Sequence, residues 1–197
     1  MKKMMKKLTA VLLSVMCLAL AGCGATGGAA DPRNCKDWTE GVMEINGGVV
    51  TLGKTKIDDF MEITGFNQEI KSSDYGDYTY RKVSDGYSTI GITVQADGRV
   101  TYLYAREEFD DMKIDTEHTS IVGPGGIEFG VSTVDELAEF DKDLKDRYNS
   151  SVQNEEAACS YIAGKSAGGF NMEDGLIYSV FGDPETRVIF EMTLQVE

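Results

Sequence analysis

Apolar and polar residues alternate along two neighbouring stretches in the middle of the chain. Ser88 and the apolar Ile90, Ile92 and Val94 stand at every second position and alternate with polar or small residues, and residues 100–106 form another run rich in strand-forming residues. Asp97 and Gly98, between the two runs, are typical of a tight turn. The pattern therefore predicts an antiparallel hairpin. The C-terminal part alternates in the same way in residues 176–181 and 188–196, joined through Asp183 and Pro184.

A second pattern is an internal repeat. Residues 45–63 match residues 122–140 at a constant offset of 77 without a gap, which chance rarely produces. In each copy a short apolar strand ends at a Gly, and a hydroxyl residue, Thr55 or Ser132, precedes positions with helical spacing. A hydroxyl at that place predicts a helix N-cap, with an Asp three residues later in a near-capping box.

These patterns predict an α+β fold of two similar units, each a hairpin, a helix and an antiparallel sheet. The first unit covers residues 42–106 and the second covers residues 119–197. Residues 107–118 between them are strongly acidic and predict a solvated linker. Within the second unit, the composition of residues 152–169 favours a helix, whereas the repeat requires a strand, and the sequence alone does not decide between them.

Residues 1–22 have the parts of an export signal. Four lysines precede an apolar stretch of 13 residues, Leu8–Leu20, which is too short to span a bilayer as a helix. The small residues Ala21 and Gly22 then precede Cys23, whose thiol can take a diacylglycerol. This segment resembles the lipobox of bacterial lipoproteins. The resemblance implies cleavage before Cys23, an anchor of palmitate-type acyl chains in the cell membrane or outer membrane, and an extracytoplasmic location.

Removal of the signal makes an acidic chain more acidic. The whole chain has a formal net charge of −14, and the loss of four lysines changes it to −18. Such a surface repels phosphate backbones, so no nucleic-acid partner is expected. The 42% of apolar residues is enough to build a core. Residues 23–41 begin with a run rich in Gly and Ala, which predicts a flexible tether after the lipidated cysteine.

The start of the second predicted helix carries a further resemblance. Gly126 to Leu137 are similar to the G-I-x-x-G-x-S-x-x-E-V pattern of small envelope lipoproteins, including the tandem fold of the beta-lactamase inhibitory proteins and the small outer-membrane assembly lipoproteins. The resemblance implies a protein-binding role without catalysis. The chain departs from the pattern at Phe140 to Lys142, where a Gly-x-Pro usually ends the helix. No binding residue is carried over from that family.

Catalytic motifs fail in their predicted context. Gly48 to Thr55 match the consensus pattern of a P-loop, but the intervening residues favour a strand rather than a loop that binds phosphate. Gly164 to Gly168 match a nucleophile elbow around Ser166, but Gly168 and Gly169 oppose the helix that must follow. The single histidine, His118, precedes Ser166 rather than following it. We therefore expect no enzymatic activity.

No metal or cofactor site is predicted. One histidine and two mature cysteines do not have zinc-ligand spacing. Residues 141–146 alternate Asp with Lys and Leu but lack the Gly and closing Glu of a calcium loop. A pairing of His118 with Cys159 as base and thiolate is also opposed, because Glu155 and Glu156 raise the pKa of a neighbouring thiol.

The mature chain has two cysteines besides Cys23, namely Cys35 and Cys159. Export permits a disulfide, and two cysteines allow one pairing. The alternative is two reduced thiols in an organism that does not oxidise its exported proteins. Both states remain open from the sequence, and the disulfide is the predicted one.

Tyrosines are concentrated in the first unit. Tyr78 and Tyr80, like Tyr102 and Tyr104, have the two-residue spacing that places each pair on one sheet face. If that face is inward, the rings cover the helix; if it is outward, they offer amphipathic contacts for a partner. With these four residues as the predicted binding surface, the sequence predicts a membrane-anchored, non-enzymatic protein-binding module. The alternative is an envelope lipoprotein that binds a small ligand or a cation.

Overall fold

The alternating stretches of the sequence all lie in antiparallel sheets. A computed structural model of the protein describes residues 31–109, 111–140, 159–164 and 177–196. Its helices and strands, in chain order, are β1 (Val42–Ile45), β2 (Gly48–Thr51), α1 (Ile57–Thr64), β3 (Gln68–Tyr75), β4 (Tyr78–Ser84), β5 (Thr89–Gln95), β6 (Val100–Arg106), β7 (Glu108–Phe109), β8 (Met112–Lys113), β9 (Ile121–Gly123), β10 (Ile127–Glu128), α2 (Val134–Phe140), β11 (Cys159–Gly164), β12 (Ile177–Gly182) and β13 (Ile189–Gln195).

Strands outweigh helices in the described residues. The α-helices there, α1 and α2, are 8 and 7 residues long, and single 3-10 turns occur at Pro32–Asn34, Trp38–Glu40 and Pro124–Gly126. The architecture is therefore mainly β. The α+β prediction is correct in expecting antiparallel sheets, but it gave the helices too much weight.

Two sheets carry the fold. The small sheet has the strand order β10-β9-β1-β2, and the large sheet has the order β11-β12-β13-β6-β5-β4-β3, with β8 pairing with β5 and β7. Both sheets join the N-terminal and C-terminal parts of the chain, because β1 pairs with β9 and β6 pairs with β13. In the second of these pairings, five residue pairs are centred on Tyr104 and Thr193.

The hydrophobic core lies between the small sheet, the helices and one face of the large sheet. Fully buried side chains come from all three parts: Met43 and Ile45 from β1, Phe60 from α1, Leu137 from α2, Leu103 from β6, and Met192 and Leu194 from β13. We call the core-facing side of the large sheet the inner face and the opposite side the outer face. Because strand side chains alternate, every second residue of these strands lies on the outer face.

The turn between β1 and β2 forms as its sequence predicts. Asn46 and Gly47 have φ values of 52° and 79°, and Ile45 pairs with Gly48 across a two-residue loop. Two central residues with positive φ match the twist of the flanking strands, which is why Asn-Gly is favoured there.

The predicted helix caps are displaced by one residue, since Lys56 and Thr133 hold the cap positions. Helices α1 and α2 begin two positions after Thr55 and Ser132. The hydroxyls of these residues instead accept hydrogen bonds from backbone N–H groups four positions earlier, from Thr51 at 2.9 Å and from Glu128 at 3.1 Å. They therefore close the turn after a strand and leave the helix ends to other residues.

Capping then differs between the two helices. Before α2, the Thr133 hydroxyl accepts from the Glu136 N–H at 3.4 Å, and the Thr133 N–H donates to the Glu136 carboxylate at 2.6 Å. This is a capping box. Lys56 holds the corresponding position before α1 and makes no side-chain cap.

Backbone hydrogen bonds around the helices recur in both halves of the chain. In each half, three backbone hydrogen bonds join the segment from the turn before the helix to its first residue with the start of a later strand, β6 or β13, and the residue two positions before that start. The equivalent pairs are Gly53 N–H to Val100 O (2.7 Å) and Gly130 N–H to Ile189 O (2.9 Å), Val100 N–H to Thr55 O (2.9 Å) and Ile189 N–H to Ser132 O (2.9 Å), and Ile57 N–H to Gly98 O (2.9 Å) and Val134 N–H to Arg187 O (3.1 Å).

Several sequence predictions fall outside the described residues. These include the signal at residues 1–22, Cys23, Ser166 and residues 141–146. Of residues 152–169, the described part is β11, the strand that the repeat requires. The acidic segment 107–118 is more structured than a solvated linker, since it contains β7 and β8 and buries Met112 and Ile114. In the part of the chain that is described, no helix is long and apolar enough to cross a membrane.

Candidate protein-binding surface

Tyr102 and Tyr104 lie on the outer face of the large sheet. They alternate along β6 with Leu103 and Ala105, which are both fully buried in the core. The alternation places the two rings on the opposite side from the helices and the small sheet. The structure therefore decides between the two orientations that the sequence left open for this strand.

Tyr78 and Tyr80 lie on the same face. Tyr80 pairs with Thr93 of β5, and Thr93 pairs in turn with Tyr102, so the three residues form one row across three strands. Tyr78 follows two positions away on β4 and lies opposite Gln95. All four tyrosines of the predicted surface are thus brought to one side of the sheet.

A glycine makes room for one of these rings. A Cβ atom at Gly91 of β5 would clash with the hydroxyl and ring of Tyr80, so the ring lies flat over the bare backbone of the neighbouring strand. An aromatic side chain laid across a strand glycine restores the packing that the glycine lacks. Tyr80 is therefore held in one orientation rather than free in solvent.

Exposure differs among the tyrosines. Tyr102 is only 7% exposed, whereas Tyr78, Tyr80 and Tyr104 are half-buried. Tyr75 on the neighbouring edge strand is 53% exposed and stacks on Tyr78 with a centroid distance of 5.7 Å. Sequence reasoning did not include Tyr75 in the surface, although its position next to the turn before β4 was a usable signal.

Polar residues of β13 complete the outer face from the other half of the chain. Thr193 lies opposite Tyr104, and Gln195 lies opposite Tyr102. Glu191 forms an ion pair with Arg106 at 3.2 Å. Sequence reasoning missed these residues. Their alternation with Met192 and Leu194 was visible, but the pairing of β6 with β13 was not.

Burial controls the charges on this face. It raises the pKa of Tyr102, Tyr104 and Tyr80, so their hydroxyls remain protonated and available as donors at neutral pH. Burial also raises the pKa of the Glu191 carboxyl, although the Arg106 charge and the Tyr104 hydroxyl oppose that shift. The face therefore combines neutral aromatic donors with the Glu191–Arg106 ion pair.

The β7–β8 hairpin closes one end of the outer face. The Tyr80 hydroxyl donates to the Met112 sulfur at 3.6 Å. Lys82, which is 8% exposed on this face, forms an ion pair with Asp111 of the same hairpin. The predicted linker thus takes part in the surface by fixing Tyr80 and Lys82.

The other predicted chemical residues lie apart from this surface. Cys35 is a free, buried cysteine, so the structure does not contain the predicted bridge to Cys159. The side chain of Cys159 lies outside the described residues. Burial is the main cause that raises the pKa of the Cys35 thiol, and the negative charges of Glu40 and Asp31 raise it further.

His118 belongs to a small polar cluster after β8. Its Nδ1 atom lies 3.0 Å from a carboxylate oxygen of Asp115, and its ring stacks on Tyr87 at 4.1 Å between centroids. Possible ligand atoms of Asp115, Glu117 and His118 all lie within 4.8 Å of one another. Among the described residues, this cluster is the arrangement that could hold a cation. The sequence analysis missed this cluster, because it tested zinc-ligand spacing of cysteine and histidine and the calcium-loop pattern of residues 141–146, neither of which describes Asp115, Glu117 and His118.

Comparison of the chain with protein-family models, curated proteins and solved structures finds no match.

Proposed function

We propose that the protein is a non-enzymatic protein-binding module on the extracytoplasmic side of a membrane, anchored by acyl chains on Cys23. One observation carries the binding role: Tyr78, Tyr80, Tyr102 and Tyr104 share the outer face of the large sheet, away from the core. Tyr78, Tyr80 and Tyr104 offer accessible ring surface, and the buried Tyr102 packs beside them. Aromatic residues that are partly exposed and rigidly held concentrate binding energy in protein interfaces.

Preorganisation supports this role. Tyr80 is fixed over Gly91 and by Met112, and Tyr102 is almost fully buried among its neighbours. Rings that are already ordered lose little conformational entropy when a partner binds. The acidic chain would also steer a basic partner and make association weaken with added salt.

Crosslinking in the native envelope tests the binding role. A Tyr78→Ala/Tyr104→Ala variant should lose most of a captured partner, since each hot-spot ring commonly contributes about 2 kcal/mol or more. Val131→Ala removes an exposed apolar side chain away from the outer face and should leave capture unchanged. Thermal denaturation checks that both variants are folded. If both are folded and capture the partner equally, binding occurs elsewhere.

The membrane anchor is tested separately. Cys23→Ala should leave the precursor uncleaved or release the protein from membranes, because no other residue of that segment can take the thioether-linked lipid. Membrane fractionation and intact mass of the processed chain measure this. Normal processing together with membrane retention would contradict the lipoprotein proposal.

The proposal includes a fold of two copies of one unit. The equivalent hydrogen bonds around α1 and α2 support it, as does the pairing of like strands, β1 with β9 and β6 with β13. In that arrangement the outer face spans both copies. The tyrosines come from the first copy, and polar partners such as Glu191 and Thr193 come from the second.

A cation-binding function is the second candidate, and the cluster of Asp115, Glu117 and His118 favours it. Imidazole and carboxylate ligands together suit ions such as Zn²⁺ or Mn²⁺. Thermal denaturation of the protein with and without each ion tests it. Stabilisation that disappears in His118→Ala would support a metal site, and no stabilisation at ion concentrations up to about 1 mM would reject it.

A further inference from the structure

A cavity of about 400 Å³ lies beside Tyr87, at a distinct place from the tyrosine surface. It is formed where the C-terminal end of α1 meets the β4–β5 turn and His118. Its walls include Glu62, Asp85, Tyr87 and the backbone at Thr64. A concave site of this size, lined mostly by polar side chains, is large enough for a small polar ligand or one side chain.

The charges around this cavity are negative. Asp85 accepts hydrogen bonds from the N–H groups of Tyr87 (2.9 Å) and Ser88 (2.7 Å), from the Thr119 hydroxyl (2.8 Å) and from the Asn46 carboxamide (3.3 Å). Burial raises the pKa of Asp85, but these hydrogen bonds outweigh it and hold the pKa below its ordinary value. The carboxylate is therefore ionised, while all four of these donors are neutral.

Other groups add to the negative potential. Glu62 lines the cavity, and the last carbonyls of α1 carry the negative end of the helix dipole. The described residues that line the cavity include no Lys or Arg. The site thus presents two carboxylates and a helix C-terminus, while the imidazole of His118 in its lining already contacts Asp115 outside the cavity.

An aromatic wall selects the shape of the cation. Tyr87 is 59% exposed even though His118 stacks parallel to its ring, at an interplanar angle of 1°. The lone pairs of Asp85 are already occupied, so a compact ammonium would find few acceptors. A planar guanidinium is favoured instead, because it is more weakly hydrated than an ammonium, can stack on an aromatic ring and can bond to Glu62.

We propose that this cavity binds a guanidinium group, supplied by an arginine side chain of a protein or by a free guanidinium solute. The two sources share one chemistry and are separated by the test. The proposal does not depend on the tyrosine surface, since it is measured with free ligands. A negative result for the guanidinium site therefore does not contradict protein binding through the tyrosine surface, and the reverse also holds.

NMR titration of the full chain in detergent micelles with methylguanidinium chloride tests the site. At constant ionic strength we expect saturable amide shifts confined to Glu62, its helix end and Tyr87, with a Kd on the order of millimolar. Methylammonium chloride should bind more weakly. The tripeptide acetyl-Gly-Arg-Gly-amide distinguishes the sources: binding as tight as methylguanidinium indicates a protein ligand, and binding of methylguanidinium alone indicates a free solute.

Matched variants make the test specific. Tyr87→Leu should weaken binding roughly two- to fivefold by loss of stacking, and Glu62→Gln by about twofold or more. Tyr75→Leu and Asp59→Asn make the same changes outside the cavity and should have no effect. Absence of saturable shifts, equal losses in the control variants, or methylammonium binding as tight as methylguanidinium would overturn the proposal.

Discussion

At the scale of single residues, Asp85 joins parts of the chain that are distant in sequence. Its carboxylate holds its own β4–β5 turn, the Asn46 side chain in the β1–β2 turn and Thr119 before β9. Ser88 extends the network, because its hydroxyl donates to Thr119 at 2.7 Å. Replacing one carboxylate oxygen with an NH2 group would leave donors that now share the charged acceptor facing a neutral amide, with a second donor among them.

Asp85→Asn should therefore destabilise the protein by about 1–3 kcal/mol at neutral pH. The folded pKa of Asp85 lies below its unfolded value, so its contribution is present above the unfolded pKa and is lost as pH falls through the folded pKa. The difference between variant and parent should shrink from about pH 5 to about pH 2. Urea unfolding at several pH values measures it, with Asp59→Asn as a control. A pH-independent difference would contradict the role of the charge.

Cys35 gives a second prediction at this scale. The thiol is 6% exposed and its pKa is raised, so the native protein should react slowly with iodoacetamide. Unfolding without reductant should make Cys35 react fully. Peptide mapping by mass spectrometry separates it from Cys159. A Cys35 that stays unreactive in the unfolded, non-reduced chain would show the disulfide that the sequence predicts and the structure lacks.

At the scale of elements, the two helices begin at equivalent places with different chemistry. Thr133 and Glu136 form reciprocal hydrogen bonds before α2, whereas α1 begins at Lys56 without a side-chain cap. Both helices are too short to be stable alone, so their stability comes from packing Phe60 and Leu137 into the core.

Thr133→Ala should destabilise the protein by about 0.5–2 kcal/mol, the usual loss for an N-cap hydroxyl. Thr116→Ala removes an exposed hydroxyl that does not cap a helix and should change stability by less. Urea unfolding monitored by the fluorescence of the buried Trp38 provides the comparison. Equal effects of the two substitutions would show that the capping box contributes little to stability.

The sequence predicts elements better than their ends. The strand at Val100–Arg106 and the Asn46-Gly47 hairpin follow directly from local pattern, because alternation and turn chemistry are local properties. The helix starts were wrong because Thr55 and Ser132 bond backward to the strand, a choice between two nearby sets of N–H donors that depends on the folded turn.

At the scale of the molecule, the outer face arises from long-range pairing. The two-residue spacing of the tyrosines predicted that each pair shares a face, but only the burial of Leu103 and Ala105 shows which face that is. The pairing of β6 with β13 then brings Glu191 and Thr193 beside Tyr104. The local sequence of β6 does not indicate that it pairs with β13. The contribution of Glu191 and Thr193 to the surface therefore could not be predicted.

Site-specific photocrosslinking in intact cells tests the proposed protein-binding surface most directly. A photoreactive phenylalanine analogue placed at Tyr78 or Tyr104 should yield a discrete crosslinked product with one protein. Val131 is 63% exposed and lies between β10 and α2, not on a strand of the large sheet. The same analogue at Val131 should yield no crosslinked product. Products from Val131 alone, or no product from either tyrosine position, would contradict binding through the outer face.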